Sequence, residues 1–205
     1  MAHDDFAVEP VRGLEKQLPP GERMLWQGAP KVWALATQAM VVHWVIGYFA
    51  VLAVWRGYAL WTSMSAEAGI AAALWYVILG ALAGGIILGI AWVLARTTVY
   101  TITTSRVVMR IGAALTVSLT LPLKHIASAD LGLRPDGTGS IHLKLRGDDR
   151  LSYLVLWPHV RPWHAREPEP TLRCIPEAEK VAGILAEAAQ AEVGAVIGDI
   201  HAKPA

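Results

Sequence analysis

The sequence predicts a two-helix transmembrane hairpin joined to an α+β domain, an antiparallel β-barrel or sandwich capped by a C-terminal helix. Three observations predict it. Residues 32–55 and 70–95 form two long runs without a formal charge. Immediately after Arg96 the apolar period changes from helical to alternating. A helical apolar stripe returns only near the end, after Pro176.

Each charge-free run is long enough to cross a bilayer core of about 30 Å at about 1.5 Å of rise per residue. The first starts too late and behind too acidic a start (Asp4-Asp5) to be a signal peptide. Residues 56–69 are expected to connect the spans, with Trp55, Tyr58 and Trp61 at interfacial depth. Residues 1–31 hold four Lys/Arg, the connector one, and the chain from Arg96 onward thirteen. The bias of positive charge toward the cytoplasm then puts both termini inside and the connector outside. That compartment is reducing, in keeping with a single cysteine, Cys174, which excludes a disulfide scaffold.

Beyond the spans, 98–103 and 106–111 are β-branched and aromatic, and Leu115, Val117, Leu119 and Leu121 alternate with small polar residues. Segments 126–133 and 141–146 flank Asp136-Gly-Thr-Gly139, a hairpin signal, and Gly147-Asp-Asp149 turns the chain into 151–156. These read as about six short strands in meander order. Pro176, Glu177 and Glu179 suit a helix start, and Val181, Ile184, Leu185 and Ala188 supply one apolar stripe. An antiparallel barrel closed by such a helix is the pleckstrin-homology arrangement. The expected organisation is a cytoplasmic segment 1–31, the hairpin 32–95, a pleckstrin-homology-like domain 96–190 and a flexible tail 191–205.

Composition narrows the function. Hydrophobic residues are 54% of the 205, charged residues 17%, and the net charge is +1, so neither a disordered chain nor a nucleic-acid binder is expected. No nucleophile elbow, P-loop or HExxH motif is present, and no enzyme is expected. His159, His164 and Cys174 have ligand chemistry but no standard zinc spacing, so no metal site is expected.

Trp157-Pro158-His159-Val160-Arg161-Pro162-Trp163-His164 is the least ordinary stretch. Its prolines break regular structure, and its tryptophans and arginine have the composition of a protein-recognition hot spot. The same aromatics would also suit the end of a barrel or a headgroup belt. Lys124, Arg134, Lys144 and Arg146 offer a basic face to anionic lipids, or an ordinary solvated face, since Asp130, Asp136, Asp148 and Asp149 are interleaved. In the second run, Gly80, Gly84, Gly85 and Gly89 form small-xxx-small repeats for close helix packing. Their partner is either the chain's own first span or another subunit, a second copy included. His43, near the middle of the first run and one turn after Ala39, is either hydrogen-bonded to Thr37, Gln38 or the other span, or a pigment ligand. The alanine–histidine spacing is similar to that by which antenna helices hold bacteriochlorophyll.

Two stretches carry a family resemblance. Leu18-Pro-Pro-Gly-Glu-Arg-Met-Leu-Trp-Gln-Gly-Ala-Pro30, a helical hairpin and then Tyr100-Thr-Ile-Thr-Thr-Ser-Arg-Val-Val108 resemble the bacterial membrane-anchored pleckstrin-homology proteins. Leu133-Arg-Pro-Asp-Gly-Thr-Gly-Ser-Ile141, Leu156–Trp163 and Pro170-Thr-Leu-Arg-Cys-Ile-Pro176 resemble the photosynthetic-complex assembly proteins of purple bacteria. That second resemblance implies a non-enzymatic factor of the inner, intracytoplasmic membrane. It would contact reaction-centre subunits, the H subunit first, and core antenna polypeptides, beside membrane lipids. The competing expectation is a lipid- or stress-sensing membrane module.

Overall fold

The computed structural model describes residues 18–112, 116–147, 151–164 and 166–202, the last ten by their backbone alone. Expectations resting on Asp4, Asp5, Leu115, Asp148, Asp149 and residues 203–205 lie outside these. The chain divides into two compact units. One is Val32–Val93; the other joins the segment before Val32 to the chain from Leu94 onward.

The first unit opens with α1 (Val32–Ala34), which passes into a π-helical turn, Leu35–Ala39. Two long helices follow, α2 (Val42–Ser63) and α3 (Ala66–Thr97). Both are long and apolar enough to cross a membrane. The expected first span, 32–55, is therefore broken at Met40–Val41 and shifted along the chain. Thr37 Oγ1 donates back to the carbonyls of Trp33 and Ala34, and the Met40 N–H reaches five residues back to Leu35. The ladder slips into a wider turn, and Val41 then takes φ 48°, a costly conformation for a β-branched residue. The expected connector 56–69 is almost wholly helical, with only Met64 and Ser65 between the helices. Ser65 Oγ accepts the Ala68 N–H and so caps α3 at once.

The second unit contains two antiparallel sheets. The first has the order β1 (Met24–Gly28), β2 (Val99–Thr103), β3 (Arg106–Ile111) and β4 (Val117–Pro122). The second has the order β5 (Ile126–Leu133), β6 (Gly139–Leu145) and β7 (Thr171–Ile175). Tyr100, Ile102, Met109, Ile141, Leu143 and Leu172 meet in the core between them. The final helix α5 (Ala178–Ala202) closes that core with Val181, Leu185 and Ala188, spaced four and three residues apart. Burying Val181 and Leu185 contributes about 1.5–3 kcal/mol each.

Strand pairing corrects the sequence reading at both ends. β1 and β7 are strands beyond the six expected segments, and the two sheets are the sandwich form of the expected barrel or sandwich. Segment 151–156 is no strand: α4 (Tyr153–Leu156) is a single helical turn. The place beside β6 is taken by β7, so 151–156 has no ladder to join and its N–H groups turn inward, Leu156 to the Ser152 carbonyl and Trp157 to that of Tyr153. The tail expected from 191 is helical to Ala202, as its alanine-rich sequence favours.

Candidate protein-recognition site

The segment singled out by its tryptophans and prolines leaves α4, crosses beside β2 and β7 and returns through Pro170, where Val160 and Pro170 form an isolated bridge. His159 fixes it. The side chain is 1% exposed, between Tyr100 Oη at 2.5 Å from Nδ1 and Thr98 Oγ1 at 3.2 Å from Nε2. Tyr100 Oη also accepts the Arg173 N–H at 3.3 Å. A neutral imidazole has one donor and one acceptor, so every group is satisfied when Tyr100 donates to Nδ1 and Nε2–H donates to Thr98. Burial enforces that neutrality, pushing the imidazole down to about 3, with the Arg173 charge adding to it. Burial likewise pushes the Tyr100 phenol upward.

Backbone bonds extend the clamp. Arg173 NH1 donates to the carbonyls of Pro158 at 2.9 Å and Val160 at 3.4 Å, and the Thr171 N–H to that of His159 at 2.9 Å. The Trp157–Pro158 bond is cis. Arg161 NH1 reaches Glu169 Oε2 at 2.8 Å and Asp130 Oδ2 at 3.2 Å, which ties the loop to β5. With these supports Trp163 stands 98% exposed at φ 65°, a conformation that costs a bulky residue on the order of 1 kcal/mol. Trp157 is 46% exposed, and on α4 Leu154 is 84% exposed with Val155 also outward.

The segment chosen from sequence thus splits in two. Trp157, Trp163 and His164 face solvent, whereas Pro158 and His159 are buried and Arg161 and Pro162 are half-buried. His159 is a positioning residue, not a contact residue, because the Tyr100 and Thr98 hydroxyls draw it inside. The Arg161 charge is already engaged by two carboxylates. Sequence reasoning missed Leu154 and Val155, which a strand would have divided between two faces. The signal was Leu156-Trp157-Pro158, where a proline forbids the ladder.

The other candidates are distributed as follows. His43 lies in the first turn of α2, not mid-span, because the helix restarts at Val42. It is exposed, and its ring lies 5.9 Å from that of Trp44. Among the described residues it makes no hydrogen bond; Thr37 is engaged by its own helix. Gly80 and Gly84 face α2: a Cβ on Gly80 would stand 2.8 Å from that of Phe49, and one on Gly84 would contact Ile46. Gly85 and Gly89 open on free space. Lys124, Arg134, Lys144 and Arg146 are all exposed. Lys124 and Arg146 rim a cleft of about 330 Å³ floored by Leu123 and Ile126. Cys174 is buried, which pushes its thiol up to about 11. Among the described residues, no three His, Cys, Asp or Glu side chains are placed to hold a metal.

Two antiparallel sheets closed by a C-terminal helix, in one chain with a pair of long apolar helices, define a membrane-anchor type of pleckstrin-homology protein. The chain belongs to the bacterial PH domain family, whose model matches residues 34–189. It is 47% identical over 195 residues to an uncharacterized 23.7 kDa protein in the puhA 5′ region of Rhodobacter capsulatus, covering 94% of this chain and 91% of the relative. No solved structure matches it.

Proposed function

We propose that this protein is a non-enzymatic assembly factor for the photosynthetic reaction centre and its core light-harvesting complex. α2 and α3 hold it in the inner, intracytoplasmic membrane with both termini in the cytoplasm. The domain grips a partner, the H subunit first, by transient contact through Trp157 and Trp163. The observation that carries this reading is Trp163, fully exposed yet held on a loop that Arg161 and His159 fix. A large rigid aromatic on a preorganised support is the form that protein-binding hot spots take. The relative in the puhA 5′ region supports the photosynthetic setting. Pigment at His43 is not required by this reading.

A lipid-sensing module is the second reading, favoured by the cleft that Lys124 and Arg146 rim. Affinity purification of the full chain from photosynthetic membranes, with subunit identification, separates the two. Recovery of reaction-centre subunits with the wild-type chain supports assembly. Recovery of lipid alone supports sensing.

A further inference from the structure

The second sheet ends in β5, along whose outer edge no strand pairs among the described residues. β5 has eight residues, against five, six and five in the other edge strands β1, β4 and β7. Seven of its eight residues are exposed, Ala127 to Leu133. Edge strands are ordinarily blunted by lysine, proline or inward charge, because free N–H and C=O groups recruit further strands. Within β5 the only charge is Asp130, paired with Arg161 at 3.2 Å yet with its side chain still 57% exposed. Ala129, Leu131 and Leu133 lie on the same side as Ile141 and Leu143, the core side, through the pairs Ala129–Leu143 and Leu131–Ile141. Leu131 is 39% and Leu133 51% exposed because no strand continues the sheet beyond them.

We infer that the β5 edge pairs with β5 of a second copy, antiparallel about a two-fold axis through Leu131. The register follows from the sequence. A continuous sheet must keep the apolar residues of both copies on one face, so residues pair with partners of the same parity. Centring on Asp130 would set two carboxylates face to face, which is destabilising. Centring on Gly132 would leave only Leu131–Leu133 overlapping. The ladder with β6 is irregular between Ile126 and Ser128, so the regular edge is Ser128–Leu133; within it, centring on Leu131 pairs Ala129 with Leu133, Leu131 with itself and Asp130 with Gly132, the longest overlap that keeps the two Asp130 apart. It also sets Arg134 diagonally to Asp130 of the second copy, within reach of a long side chain. Arg134 is exposed and, among the described residues, has no carboxylate within salt-bridge distance. The pairing therefore joins the apolar margins and adds two opposite-charge contacts. This inference is independent of which partner the tryptophans bind.

The test is a cysteine scan of 128–134, one substitution at a time, in the full-length chain in native membranes under mild oxidation. The wild-type chain with its buried Cys174 is the control. Leu131→Cys is expected to give the strongest disulfide-linked dimer, because only that position faces its own copy. Leu131→Lys, which sets two ammonium groups opposite each other, is expected to weaken self-association at least tenfold in a dilution series. A cross-linking maximum at another position, the absence of cross-linking across 128–134, or unchanged association of Leu131→Lys would each overturn the proposal. Cysteine at these exposed positions is compatible with folding, so the scan stands even where the lysine variant is lost.

Discussion

The Tyr100 phenol on β2 and the His159 imidazole on the loop after α4 share a buried hydrogen bond, their rings 5.8 Å apart and close to edge-on. This one contact joins the first sheet to the segment that displays Trp157 and Trp163. Tyr100→Phe removes the hydroxyl but keeps the ring. It leaves the buried His159 Nδ1 without its donor, which costs about 1–3 kcal/mol. The expected result is a melting temperature lower by several degrees in detergent, with earlier proteolysis in 157–170. An unchanged melting curve would show that the bond does not hold the loop.

The same histidine makes the domain sensitive to acid. The unfolded imidazole takes up its proton near pH 6.5, the folded one only near 3. Between these values the unfolded state binds more protons, so stability falls as the pH drops below 6.5 and is fully present above it. One such proton is worth about 1.4 kcal/mol per pH unit. Denaturant midpoints measured from pH 7 to 4.5 should show this slope, and His159→Gln should flatten it. Equal slopes in both proteins would place the acid sensitivity elsewhere.

Much of this architecture was legible from sequence, and the misreadings have physical causes. The alternation in 117–121 and the hairpin turn at Asp136–Gly139 were local signals, and local geometry honours them: Asp136 Oδ1 accepts both the Thr138 N–H and its hydroxyl. β1 and β7 were not legible because each is defined by a distant partner. β1 is anchored by Glu22, whose carboxylate takes a two-pronged bond from Arg106 and a third from Thr103. Those residues lie in the two stretches that carry the family resemblance, which is a physical reason for the motif. At the candidate site the exposed tryptophans were recognisable by composition. The inward turn of His159 was not, since it depends on hydroxyls 59 and 61 residues away.

In the hairpin, the glycines facing α2 should differ from those facing away. Gly80→Leu drives a side chain into Phe49, and Gly85→Ala meets open space. Overpacking of this kind costs about 1–3 kcal/mol. Thermal melts in detergent should show a marked loss for Gly80→Leu and little change for Gly85→Ala. Equal losses would mean that both glycines serve one interface.

The charge bias predicts the orientation. A reporter active only in the periplasm should stay silent when fused after α5 and report when inserted at Met64–Ser65, between α2 and α3. The opposite pattern would invert the hairpin and remove the cytoplasmic partner from reach.

The most direct measurement compares Trp163→Ala with the wild-type chain in quantitative co-purification from photosynthetic membranes at limiting bait. Trp163 is 98% exposed, so its loss leaves the fold intact, and any effect reports recognition alone. As a hot spot it should be worth about 2 kcal/mol, or roughly thirtyfold in affinity. The account predicts that recovery of reaction-centre subunits falls by that order, with membrane insertion and melting temperature unchanged. Undiminished recovery would contradict it.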